Sequence, residues 1–244
     1  MNTTTRPKAI ISCMPNSYGP FGTRAAIEHL REAGLECLEL AIRTAGVDSP
    51  FDADPPLTDA SNADNVAHVR RLLDEHGVRV VSCNVTSGNP LDPAVVETTK
   101  RKLDLAVEFD APLVVGGAGE ADKPDEKQRL LGHLAQIGDH AARLGMTYCF
   151  ETHPGLCRNH RYMLETMDAL DHPHLKLNFD TANILYYNEF IDGEVALAKV
   201  SHHVRHIHLK DSSGEHGQWH FPAMGCGGAV NFVRVLEIMR PLGF

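Results

Sequence analysis

Residues 146–153 read MTYCFETH, and the alternation within them decides the fold. In an extended strand successive side chains point to opposite faces. Thr147, Cys149, Glu151 and His153 therefore share one face, and Tyr148 and Phe150 the other. The same split recurs at residues 175–180, LKLNFD, where Lys176, Asn178 and Asp180 oppose Leu175, Leu177 and Phe179. At residues 204–210, VRHIHLK, the set Val204, His206, His208 and Lys210 opposes Ile207 and Leu209. An open parallel sheet covered on both faces reads as near-continuous apolar strands. These strands carry one apolar and one polar face, with polarity rising toward their C-terminal ends. That is a barrel pattern: the outward set packs on helices, and the inward set opens into a site at the mouth.

Working outward, β-type runs are expected at residues 8–13, 35–42, 78–85, 112–115, 146–152, 175–180 and 204–210, separated by segments with apolar residues at helical spacing such as NADNVAHVRRLLDEHG and KPDEKQRLLGHLAQIGDHAARLG. Asn62, Asp92 and Asn159 stand where helices should start, and Gly34, Gly77, Gly145 and Gly243 where they should stop. The alternation is that of repeated βα units joined by crossovers. Seven units without a break in composition predict one domain over residues 1–244, an α/β fold of the TIM (β/α)8 type with the eighth βα unit missing from this chain. An open barrel exposes edges at its first and seventh strands, so self-association, as in a homo-oligomer, or poor solubility is expected unless those edges are covered.

Composition excludes several classes. The 244 residues are 43% hydrophobic and 23% charged, with a net charge of -9, which opposes a phosphate-backbone partner. No run approaches the roughly 20 apolar residues of a membrane span, and the opening MNTTTRPKAIISCMP has too short an apolar run for a signal peptide. Six cysteines without a C-x-x-C pair read as reduced thiols. The expectation is a soluble cytoplasmic protein with no nucleic-acid or membrane partner.

Glu151, Asp180 and His208 fall at or near the C-terminal ends of three consecutive predicted strands, on the inward parity. Two carboxylates and an imidazole form an oxygen and nitrogen set that suits one divalent ion: Mn, Mg, Co, Zn or Fe. Around them, His153, Asn183 and Lys210 are candidate substrate contacts, and Lys210 could neutralise an oxyanion or phosphate. Arg158, Trp219 and His220 lie in predicted loops after the fifth and seventh strands, where barrels place specificity. Glu39 and Asn84 point inward from the second and third predicted strands, with weaker claims.

The motifs FETHPG, NFDTAN and HIHLKD, in that order on successive strands, resemble those of the sugar phosphate isomerase/epimerase superfamily with the xylose-isomerase-like barrel. Ketose 3-epimerases of the tagatose and psicose type, inosose dehydratases, hydroxypyruvate isomerases and type IV apurinic endonucleases belong to that group. The resemblance implies that Glu151, Asp180 and His208 match three of four metal ligands, the fourth being an eighth-strand Glu without a counterpart here. It implies proton transfer next to a carbonyl of a keto-sugar or polyol through a metal-stabilised enediolate, with Glu151 as the base. Without the fourth ligand 3-epimerisation is expected to be impaired. The alternatives are a binder of sugar-like ligands with an incomplete metal site and, more remotely, an apurinic endonuclease of the same fold, against which the charge argues.

Overall fold

A computed structural model describes residues 9–243 of the chain. Six strands form one sheet in sequence order, every neighbouring pair parallel: β1 Cys37–Ala41, β2 Arg79–Asn84, β3 Leu113–Gly116, β4 Thr147–Glu151, β5 Leu175–Asp180 and β6 Val204–His208. The helices are α1 Gly22–His29, α2 Ala63–His76, α3 Pro93–Ala106, α4 Pro124–Arg143, α5 His160–Leu170, the single turn α6 Asn183–Tyr186, α7 Gly193–Val200 and α8 Phe232–Met239. Among the described residues no helix is long and apolar enough to cross a membrane.

The starts and stops follow from local chemistry. Asn62 accepts from the backbone of Asp64 and Asn65 while Asn65 bonds back to Asn62, a reciprocal cap on α2. Asp92 and Asn159 accept from the first-turn amides of α3 and α5. Gly77 adopts φ 62° at the end of α2, a left-handed conformation that glycine takes without a Cβ penalty.

The outward strand residues Leu38, Leu40, Val114, Tyr148, Phe150, Leu177 and Phe179 are buried against Ile27, Val69, Leu103, Leu134, Met163 and Leu197 of the surrounding helices. Each fully buried side chain of this size contributes about 1.5–3 kcal/mol. Tyr148 and Phe150 meet edge to face at 5.5 Å.

The first predicted strand needs correction. Lys8 lies outside the described residues, and of the rest only Cys13 pairs, in a single parallel bridge to Leu38. Ile10 and Ile11 are 66% and 62% exposed, so among the described residues no packed element covers them and nothing holds this segment on the edge of β1 before Cys13. Among the described residues there are thus six strands, with isolated bridges at Cys13–Leu38 and Arg43–Thr58, rather than seven strands, and no strand pairs with the far side of β6.

The sheet is nevertheless rolled. Four strands separate β1 from β6 in the pairing order, yet His208 Nε2 lies 3.1 Å from both carboxylate oxygens of Glu39 on β1, and His206 Nε2 lies 3.2 Å from Ser82 Oγ on β2. Two register slips set what faces inward. Leu38 pairs with Val80 but Glu39 with Ser82, and Leu177 pairs with Val204 but Asn178 with His206. Each slip passes over one residue and re-aims the side chains after it. Val204 consequently packs in the apolar core, not on the inward face with His206 as strict alternation predicts.

Candidate metal centre at the barrel mouth

The C-terminal ends of β4, β5 and β6 bring Glu151, Asp180 and His208 together: one donor atom from each lies within 4.8 Å of the others. His208 Nδ1 is 3.3 Å from Glu151 Oε1 and 3.9 Å from Asp180 Oδ2. Asp180 is anchored by its other oxygen, Oδ1, which accepts from the backbone N–H groups of Ala182 at 2.9 Å and Asn183 at 2.8 Å where α6 begins. Its Oδ2 is left to the site, 3.3 Å from Lys210 Nζ. Thr181 ties the two strand ends, donating to the Lys210 carbonyl at 2.7 Å and accepting from the Lys210 amide at 3.0 Å.

The electrostatics are those of a buried, electron-rich cluster. Burial works against a charged His208, but Glu39 and Glu151 outweigh it and hold its pKa well above the ordinary imidazole value. Burial pushes the Asp180 carboxyl up despite Lys210 and His208. Burial would also raise Glu151, but the His208 hydrogen bond brings it below the usual carboxylate value. Burial likewise opposes ionisation of Glu39; the charge and hydrogen bond of His208, then His206 and Asn84, overcome it and hold the carboxyl at about 2. His206 is pushed by burial down to about 4, only partly offset by Glu39. Three carboxylates thus converge on His208 and Lys210. Oδ2 of Asp180, Oε1 of Glu151 and Nδ1 of His208 form a facing set whose oxygen and nitrogen chemistry fits one hard-to-borderline divalent ion.

Asn183 and Lys210 join this cluster directly. Lys210 Nζ donates to Asn183 Oδ1 at 2.7 Å, and Asn183 Nδ2 reaches Glu151 Oε1 at 3.4 Å and the Thr152 carbonyl at 3.0 Å. Lys210 also lies 4.5 Å from the centre of the Phe221 ring. His153 is exposed, its ring 5.2 Å from Tyr187. Arg158 lines an adjoining cavity of about 360 Å³ with Pro154, Tyr186, Tyr187, His216 and Gly217. Trp219 stands at 5.6 Å from Tyr186 and 5.0 Å from Phe221, forming an aromatic wall. His220 is exposed and fixed through its backbone, which accepts from Ser213 at 3.2 Å and donates to Gln218 at 2.8 Å.

Two residues do more than their sequence suggests. Glu39, 1% exposed on the opposite side of the roll, faces both histidines of β6. Asp211, also 1% exposed, organises the loop that carries the aromatic wall. Its Oδ1 accepts from Ser212 at 2.9 Å and Val230 at 3.2 Å, and its Oδ2 from Gly225 at 3.2 Å. Gly228 passes so close that a Cβ there would run into this carboxylate.

Residues 27–244 match the family described as xylose isomerase-like TIM barrel. No curated protein matches the sequence. Among solved structures, a xylose isomerase-like TIM barrel protein from Mycobacterium smegmatis in complex with magnesium is 18% identical with a TM-score of 0.77, over 96% of this chain and 87% of that one. The probable 3-DHS dehydratase AsbF from Bacillus anthracis is 17% identical with a TM-score of 0.73, over 96% and 89%. A D-allulose 3-epimerase from Methylomonas sp. in complex with D-allulose is 17% identical with a TM-score of 0.70, over 98% and 82%. Identities this low speak for the fold.

Proposed function

The chain belongs to the xylose isomerase-like TIM barrel family, and from that premise we propose that it is a divalent-metal-dependent sugar or polyol isomerase or epimerase. The observation that carries this reading is the convergence of Glu151, Asp180 and His208 on one point at the ends of consecutive strands. Magnesium in one structural neighbour and D-allulose in another support it.

Glu151, Asp180 and His208 would hold the ion, which when bound supplies Lewis-acid polarisation of a substrate carbonyl. Glu151 is the base that removes the neighbouring proton. Without the ion its carboxyl lies below the usual carboxylate value, and a cation held in place of the Nδ1 hydrogen would likewise favour the ionised form, so it accepts a proton without first having to lose one. Asn183 steadies Glu151 and orients Lys210, whose ammonium stabilises charge developing on a substrate oxygen. Phe221 packs over the Lys210 ammonium, and Tyr186 and Trp219 extend that aromatic wall beside the cluster. Within this reading His153 and His220 contact substrate hydroxyls from the rim, and Arg158 does so from the adjoining cavity.

The test is metal analysis of the purified protein, then proton–deuteron exchange in heavy water on a panel of ketoses and inososes with added Mn, Mg or Co. One equivalent of metal and exchange at a carbon next to a carbonyl are expected, with exchange lost in Glu151→Gln. Loss of water would begin with the same proton removal, and in view of the similarity to a probable dehydratase the panel is also assayed for dehydration. A metal-free protein that exchanges no proton in any substrate would refute the reading.

A further inference from the structure

The proposed chemistry uses one side of the His208 ring, while the other side is held by a group to which that chemistry assigns nothing. His208 Nε2 lies 3.1 Å from both oxygens of Glu39. Glu39 comes from β1, on the far side of the roll, and is itself seated by three neighbours: Asn84 Nδ2 at 3.2 Å, Ser82 Oγ at 3.4 Å and His206 Nε2 at 3.2 Å. A buried carboxylate is acceptor-only, so the ring nitrogen facing it must carry hydrogen. That keeps a hydrogen on Nε2 whether or not an ion is bound and leaves Nδ1, which faces Glu151 and Asp180, as the nitrogen that would exchange its hydrogen for an ion.

We propose that Glu39 is a positioning residue for the metal centre: across the barrel, it fixes the tautomer and tilt of His208 and strengthens Nδ1 as a ligand. This rests on the reading of Glu151, Asp180 and His208 as the metal-holding set. Metal-bound imidazoles commonly donate their free N–H to such a partner, and losing the partner typically weakens metal binding 10- to 100-fold. Asn178 completes the frame: its side chain spans the two β6 histidines, 3.0 Å from His208 Nδ1 and 3.1 Å from His206 Nδ1.

Glu39, His206 and His208 also meet the distance requirement of a three-donor set of their own. A cation seated there, together with one at Glu151 and Asp180, would have to share His208 through both ring nitrogens, which requires removing the second ring proton. Neutral imidazole gives that proton up only in strong base. The hydrogen-bonded arrangement needs no such loss, and it predicts a single metal equivalent.

Calorimetric titration of the metal-free protein with Mn(II) tests this, with the visible absorption of the Co(II) form as a second readout. Wild type is expected to bind one equivalent. Glu39→Gln should bind 10- to 100-fold more weakly, with a shifted Co(II) spectrum and an intact circular dichroism signal. Ser82→Ala, which only loosens the seat of Glu39, should show a smaller weakening in the same direction and keeps the question answerable if Glu39→Gln does not fold. A wild type that binds one equivalent while a folded Glu39→Gln matches its affinity and spectrum overturns this inference and leaves the proposed function standing. Binding of two equivalents overturns it as well. A wild type that binds no metal overturns both.

Discussion

Replacing Asp211 with alanine should release the loop of residues 212–231 without unfolding the barrel. The carboxylate accepts three backbone N–H bonds, two of them from residues 14 and 19 positions further along the chain. Hydrogen bonds to a charged group are worth about 1.5–3 kcal/mol each. At about 1.4 kcal/mol per factor of ten, amide exchange at Gly225 and Val230 should accelerate about 10- to 140-fold. Hydrogen exchange resolved at single amides is the assay, with the strand amides of β4 and β5 as internal reference. Asp211→Asn gives a sharper result. If its carbonyl oxygen takes over the bonds to Ser212 and Val230, its amide group faces the Gly225 N–H, donor to donor. Exchange should then rise at Gly225 and hold at Val230. Unchanged protection of Gly225 and Val230 in Asp211→Ala would refute the reasoning, as would equal acceleration in β4 and β5, which signals global opening.

Two further outcomes test the electrostatics and the packing. The Glu39 carboxyl sits at about 2 in the fold against an ordinary 4.5; a depressed carboxylate stabilises above its unfolded pKa, and that stabilisation is lost as pH falls from about 4.5 toward 2. Urea unfolding of the metal-free protein should show a loss on the order of 3 kcal/mol across that window, absent in Glu39→Gln; equal acid sensitivity in the two proteins would contradict it. A Cβ at Gly116 would collide with the Tyr148 hydroxyl, whereas one at Gly132 in α4 meets nothing within 4 Å. Gly116→Ala should therefore cost about 1–3 kcal/mol and Gly132→Ala gain about 0.5–1 kcal/mol, so calorimetric melting temperatures should move in opposite directions.

The sequence carried the strands from β1 to β6, the caps at Asn62, Asp92 and Asn159, and the inward parity of Glu151, Asp180 and His208, because these depend on near neighbours. The region between β5 and β6 was harder: GEVALAKV in α7 has no polar face to reveal its period. The two register slips are invisible to alternation, since a skipped residue shows only against its partner strand. Residues 9–13 have the composition of a strand, yet only Cys13 has a bridging partner. Glu39 reads in isolation as one inward acid in CLELA, and its role depends on a ring 169 positions away. Asp211 closes HIHLKD as an ordinary strand-end acid, and the three amides it gathers are set by the loop.

That span of 169 positions bears on how the molecule comes into being. During synthesis Glu39 emerges long before the His208 ring that will pair with it, and until β6 docks it is an acid on a growing sheet, free to stay hydrated. Its burial is therefore among the late events, since closing so long a loop is entropically costly and is compensated only when the distant contacts form. In the proposed metal centre, the ring that would present a ligand is also the clasp joining β1 to β6. On the proposed function, competence to bind the ion would then serve as a report that the roll has been completed.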